Sequence, residues 1–352
     1  MLILLTLAGC LGAGGPPAPE DMVIQWTRAQ GEPWRCAARI ERPEPQRDRG
    51  RAVLLFGGGL VHDLDWTTPG SYEQDGQTIQ LTIDGRDTTD AATIARALVE
   101  QGWTVIRYAS LRADDPLHAQ SRAMAESLPL PETVELARFM WGELLGRAGA
   151  APEQTVCIGH SLGAWRGVVA SDGKAAGYIA LAGAYMSPTT SRPSQLAGEA
   201  MAQVGVAGED GRVTAEEFAA LTPALAAPFA EVDVDGSGAV SGWELAAAQR
   251  LAGGLAPEAE TLARQGGAWP WPTDLLAQSG APALAVWGGQ DTMSYHGRLL
   301  AALGERDGFA VTTRWCADLG HNLGPVVDGR TGAIAPEVVE AIVTWLEALP
   351  AP

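Results

Sequence analysis

Short, continuous apolar runs alternate with longer stretches of helical period along most of this 352-residue chain. The apolar runs fall at 51–56, 103–108, 155–159, 176–182 and 282–287, and 309–316 reads as a further strand. Ala52-Val53-Leu54-Leu55-Phe56 and Pro282-Ala283-Leu284-Ala285-Val286-Trp287 are typical. An apolar run of that length, bounded by turn residues, predicts a strand covered on both faces. Helices are predicted between them at 90–101, 131–148, 162–171, 294–304 and 336–349. Upstream, Met22 to Arg28 and Trp34 to Ile40 predict an antiparallel edge pair. Regular strand–helix alternation implies an α/β fold, with a mainly parallel sheet flanked by helices and right-handed crossovers. The rhythm breaks from about Ser187 to Ala268, where strand character gives way to helical, acidic, Ala-rich sequence. Residues 187–268 therefore read as an insertion into a main domain formed by 21–186 and 269–352.

Chemistry concentrates at the ends of the predicted strands. Gly159-His160-Ser161-Leu162-Gly163 fits G-x-S-x-G between a strand and a small-residue helix (Ala164 to Ala170). Glycines on both sides permit a sharp turn that lifts the serine oxygen above a sheet. Asp291 follows the 282–287 strand through Gly288-Gly289-Gln290, and His321 follows the 309–316 strand in Asp318-Leu319-Gly320-His321-Asn322. The carboxyl ends of parallel strands form one rim, so the spacing predicts that Ser161, Asp291 and His321 meet there. A serine hydroxyl is a weak nucleophile unless a base takes its proton. His321 is the candidate base, and Asp291 would fix its tautomer and stabilise the imidazolium. Gly57-Gly58-Gly59 directly follows the 51–56 strand. The N–H groups of Gly58 and of Leu162, the residue after the nucleophile, are the candidate donors to an oxyanion.

With these residues the chain resembles the α/β-hydrolase superfamily, and within it the dienelactone-hydrolase-type and prolyl-oligopeptidase-type esterases. Phe56-Gly57-Gly58-Gly59-Leu60-Val61-His62-Asp63-Leu64-Asp65 is similar to the family's His-Gly-x-Gly loop and the His-Asp-x-Asp stretch after it, with Phe56 where histidine is common. Asp90 to Gln101, followed by Trp103 to Tyr108, resembles the family's next helix and strand. The likeness covers about 51–185 and 270–349. It implies a serine hydrolase that cleaves an ester through an acyl-enzyme. A peptidase or amidase of the same fold, or a catalytically silent calcium-binding surface lipoprotein, is the alternative.

Inside the insertion, Asp233 to Glu244 resembles a twelve-residue EF-hand loop. Calcium takes six to eight oxygen ligands, supplied by alternate positions of such a loop and by its last residue. Here those are Asp233, Asp235, Ser237, the Ala239 carbonyl, Ser241 and Glu244, with Gly238 at the sharp sixth position. Residues 206–217 share the frame through Gly211, Val213 and Glu217 but carry Val206 and Gly208 where carboxylates belong. They read as a structural partner loop empty of metal, leaving one calcium site in a cap over the active-site rim. Phe218, Leu221, Leu225 and Phe229 are spaced as the apolar face of the connecting helices.

Charge and cysteines bound the remainder. A net charge of −18 argues against nucleic acid or an anionic membrane surface as partner. Met1 to Ala8 is apolar, and Leu7-Ala8-Gly9-Cys10 resembles a bacterial lipobox. This predicts a signal peptide over 1–9, lipidation of Cys10, a Gly/Pro/Ala-rich tether through residue 20 and a place on the cell envelope. Cys36, Cys157 and Cys316 remain, with bridges from Cys36 left open. Trp66, Tyr72, Trp269 and Trp271 are candidates for pocket walls or for surface packing.

Overall fold

One eight-stranded sheet takes up every apolar run named above. In chain order its strands are β1 (Glu20–Trp26), β2 (Trp34–Glu41), β3 (Ala52–Phe56), β4 (Thr104–Arg112), β5 (Thr155–His160), β6 (Gly177–Leu181), β7 (Ala283–Gly288) and β8 (Val311–Cys316). Their order across the sheet is β1-β2-β4-β3-β5-β6-β7-β8. β2 runs antiparallel to both β1 and β4, and the other neighbours are parallel. The structure is a computed structural model, and it describes residues 16–28, 33–58, 62–74, 76–112, 130–183, 212–221, 229, 238–241, 272–291 and 309–350.

Among the described residues five helices cover the sheet: α1 (Asp90–Glu100), α2 (Leu130–Ala148), α3 (Leu162–Ser171), α4 (Pro272–Ser279) and α5 (Pro336–Glu347). Alternate strand residues feed two separate cores. Leu54, Phe56 and Cys157 pack with Met140, Leu144, Trp165, Val168 and Leu276 on one face. Val53, Leu55, Val156 and Ile158 pack with Ile94, Leu98, Val338, Ile342 and Leu346 on the other. Burial on both faces explains why these strands show no polar alternation in the sequence.

Two elements depart from the sequence expectation. β4 continues to Arg112, past the apolar run, because its polar end still has partners. Cys36 lies opposite Arg112, and Ser110 exchanges hydrogen bonds with the His62 backbone. α4 was not predicted; two turns are too short for a helical period to stand out. The helix expected at 294–304 lies outside the described residues. Cys36, Cys157 and Cys316 are buried and free, so the bridges left open by the sequence do not form. Burial alone pushes the Cys36 thiol up to about 12, which suits a small core hydrophobe.

Between β6 and β7, strands Arg212–Thr214 and Ala239–Ser241 pair antiparallel, with Val213 opposite Val240 and both side chains fully buried. Gly238, just before the second strand, has φ +79°. A short helix, Ala215–Leu221, carries Phe218, whose ring meets Phe229 edge-on at 5.5 Å. Asp233, Asp235, Ser237, Glu244, Leu225, Trp269, Trp271 and the Cys10 region lie outside the described residues. Among the described residues no helix is long and apolar enough to cross a membrane.

Candidate active site

Because β3 to β8 run in parallel, the loops after them open on one rim. Four of those loops build the site. At the end of β5 the chain turns sharply into α3, and Ser161 occupies the corner with φ 51° and ψ −123°. A non-glycine residue in this region carries local strain of order 1–3 kcal/mol. The flanking glycines are there for space. A Cβ at Gly159 would meet the Ala164 backbone nitrogen at 2.2 Å, and one at Gly163 would meet the Phe56 carbonyl oxygen at 2.0 Å. Leu162 is the first residue of α3, where backbone N–H groups have no intrahelical acceptor.

Asp291 and His321 are brought together by a second pair of glycines. A Cβ at Gly288 would meet the Leu319 carbonyl oxygen at 2.0 Å, and one at Gly289 would meet that of Ala317 at 2.3 Å. The turn after β7 thus lies directly against the loop after β8. Gly289 and Gln290 N–H groups donate to the carbonyls of Cys316 and Leu319. His321 Nδ1 then sits 3.1 Å from each Asp291 carboxylate oxygen, and the Asp291 side chain is fully buried. An Nδ1–H donated to that carboxylate leaves Nε2 as the basic nitrogen. Ser161 and His321 line one cavity of about 290 Å³ with Gly58, His62, Asp63, Trp66, Asp90, His160 and Asn322. No hydrogen bond joins the Ser161 hydroxyl to His321 in this structure. Gly58 lies against Ser161, since a Cβ there would stand 3.1 Å from Ser161 Cβ and 2.7 Å from His160 Nδ1.

Sequence reasoning passed over several residues here. His160, the variable position of the motif, donates from Nε2 to the His321 carbonyl at 3.0 Å and packs its ring 5.0 Å from that of His321. Burial, then the neighbouring His321, lowers its pKa to about 4, so it is neutral at physiological pH. The His62-Asp63-Leu64-Asp65 stretch proves to be framework. Asp63 Oδ1 accepts the N–H groups of Asp65 and Thr67, and Asp65 pairs with buried Arg107, which also holds Glu41 at 2.7 Å. Burial pushes His62 down to about 3, and its ring fills the space where Gly57 has no side chain. Of the aromatic candidates, Trp66 lines the cavity and tilts over His160 at 5.9 Å, whereas Tyr72 is exposed on a separate hairpin. A lone histidine inside a Gly-rich motif carries no periodic or spacing signal, so none was available to find His160.

Asp90, the first residue of α1, also faces this cavity. Its Oδ1 accepts the Ile334 N–H at 2.9 Å, and burial raises its pKa from 3.8 to about 6. Through that window the unfolded chain releases a proton that the folded chain keeps. Stability therefore falls as pH rises from about 4 to about 6 and stays lower above it. Asp90→Asn keeps an acceptor for Ile334 without the buried charge. It is expected to raise stability at pH 8 by about 1–3 kcal/mol and to change little at pH 4. Urea unfolding at the two pH values measures the difference; equal effects at both would show that the carboxyl is not the cause.

No family model matches the chain, and no curated protein does. Solved structures do align. The acylaminoacyl peptidase of Pyrococcus horikoshii superposes over 95% of this chain and 42% of its own, with 11% identity and a TM-score of 0.51. A thermophilic esterase from Thermogutta terrifontis (malate bound) aligns over 94% and 99%, with 18% identity and a TM-score of 0.46. An esterase/lipase from an uncultured bacterium aligns over 94% and 84%, with 19% identity and a TM-score of 0.43. At 11% identity the peptidase speaks for architecture alone, and the match spans less than half of that protein. The strand order, the antiparallel β2 and the strand-to-helix corner after β5 agree with it: this chain has the α/β-hydrolase fold.

Proposed function

We propose that the protein is a serine hydrolase that cleaves a carboxylic ester through an acyl-enzyme. The observation that carries this reading is Ser161, strained at its corner, sharing a cavity with an imidazole held by a buried carboxylate. Ser161 Oγ attacks the ester carbonyl carbon while His321 Nε2 takes the hydroxyl proton. Asp291 holds the ring and balances its charge. The carbonyl oxygen becomes an oxyanion between the N–H groups of Gly58 and Leu162. Collapse expels the alcohol, which receives the proton from His321. A water, deprotonated by the same imidazole, then releases the acid and restores Ser161. The Ser161–His321 contact closes with substrate present, as catalytic hydrogen bonds commonly do. A fluorophosphonate probe tests the reading. The expected result is a single covalent adduct on the peptide containing Ser161, found by mass spectrometry. A folded protein that takes no label, or takes it elsewhere, would speak for the catalytically silent scaffold.

The same proposal gives the inserted segment one calcium ion, held by Asp233, Asp235, Ser237, the Ala239 carbonyl, Ser241 and Glu244. The donor set is all oxygen, as a hard cation requires. The left-handed Gly238 and the Val213–Val240 pairing between the two loop frames support it. In the 206–217 frame, Glu217 is engaged locally: its Oε2 accepts from the Thr214 N–H and hydroxyl, a capping box. That frame carries no metal in this reading. Calcium would staple the inserted cap, and excess chelator is expected to lower its melting temperature by several degrees. An unchanged melting curve and an unchanged ester hydrolysis rate in chelator would remove the calcium staple. Lipidation of Cys10 would hold the enzyme at the cell envelope, with a small ester or peptide as its substrate.

A further inference from the structure

Arg166 lies five residues beyond the nucleophile on α3 and is almost wholly buried, at 2% exposure. Its Nη1 donates to the Gly57 carbonyl oxygen at 3.1 Å. That carbonyl belongs to the same peptide group as the Gly58 N–H. The structure contains no cis peptide among the described residues, so this unit is trans, with its C=O and N–H directed oppositely. The C=O turns toward α3, since a Cβ at Gly163 would stand 2.6 Å from it. The N–H is thereby turned away from α3, and Gly58 lines the cavity beside Ser161.

We infer that Arg166 is a positioning residue for the oxyanion hole: its guanidinium fixes and polarises the Gly57–Gly58 peptide, strengthening the Gly58 N–H as a donor to the developing oxyanion. This rests on the serine-hydrolase reading above. A hydrogen bond accepted at one end of a peptide draws electron density from its N–H and makes that N–H a stronger donor, more so at low dielectric. A cation adds to this, because charge-assisted hydrogen bonds are about twice as strong as neutral ones. The position is otherwise expensive. Burial penalises the charge. Burial lowers Arg166 to about 10, which leaves it protonated at neutral pH.

The test compares Arg166→Lys, Arg166→Gln and Arg166→Met, each checked for folding by its melting curve. The readouts are hydrolysis of p-nitrophenyl acetate, the rate of fluorophosphonate inactivation, and inhibition by a trifluoromethyl ketone beside its methyl ketone parent. In the Met variant kcat is expected to fall about 10–100-fold with KM unchanged, less than the loss of a direct donor. Gln should fall between, and Lys should stay within about threefold of wild type. Across the series the trifluoromethyl ketone, which forms an oxyanion, should weaken in step with kcat/KM while the parent ketone does not. A merely structural role would shift both ketones together and would not rank the variants by charge. A folded Met variant with wild-type kcat overturns the inference. Should Met not fold, equal rates for Lys and Gln overturn it. A wild type that neither hydrolyses the ester nor takes the probe overturns the hydrolase reading and this inference with it. A labelled, active wild type with indifferent variants overturns this inference alone.

Discussion

Ser161→Ala is expected to abolish ester turnover, by about a millionfold in kcat where the background permits measurement, while leaving the melting temperature within about a degree of wild type. The two readouts separate because the hydroxyl contributes to chemistry and the strain belongs to the backbone. Alanine keeps the Cβ and therefore keeps the φ of 51° at its full cost. Ser161→Gly removes the Cβ. It should be equally inactive yet more stable by about 1 kcal/mol, the relief of strain exceeding the added entropy of the unfolded chain. Asp291→Asn gives a graded companion. Its geometry can persist, but an amide cannot hold the imidazole in the same tautomer, and a loss of about ten-thousandfold in kcat is expected. Initial rates on a chromogenic ester, with urea unfolding of the same samples, measure all three. If Ser161→Gly is less stable than wild type, the corner is not a strained element.

The second large effect is structural. Gly163→Ala would place a Cβ 2.0 Å from the Phe56 carbonyl oxygen and 2.6 Å from that of Gly57, both backbone atoms of the strand and loop that carry Gly58. Neither can yield as a flexible side chain would, so α3 and β3 must separate. A loss of about 3 kcal/mol is expected, the upper range for overpacking. Activity should fall by about a hundredfold or more, because the same displacement carries Ser161 away from Gly58. Gly142→Ala is the internal control. It lies in the middle of α2 with nothing within 4 Å of an added Cβ, and should stabilise the protein by about 0.5–1 kcal/mol. Equal responses at the two sites would show that close packing at Gly163 is not what the glycine serves.

Ser161, Asp291 and His321 could be named before the fold because each has a local signature: a strand, then a turn, then the polar side chain. Parallel strands of one sheet share a direction, so three such signatures place their side chains at one rim. The double glycine before Asp291 was visible too, but its reason was not. Only the approach of the Ala317–Leu319 backbone shows why position 288 and position 289 each exclude a side chain.

The sequence by itself determined the alternation of strands and helices, the two-sided burial of the central strands and the strand-to-helix corner that carries Ser161, because each follows from spacing within about twenty residues. Beyond the β1–β2 edge pair, tertiary structure alone decided which strands are neighbours. It also decided that His160 binds the His321 carbonyl, that Arg166 reaches Gly57, that Asp90 faces the cavity lined by Ser161 and that all three internal cysteines stay free. Those contacts join residues tens to hundreds of positions apart. Hydrophobic periodicity fixes which face of an element is buried, but not which partner it meets, and partner choice is set by the packing of the whole chain.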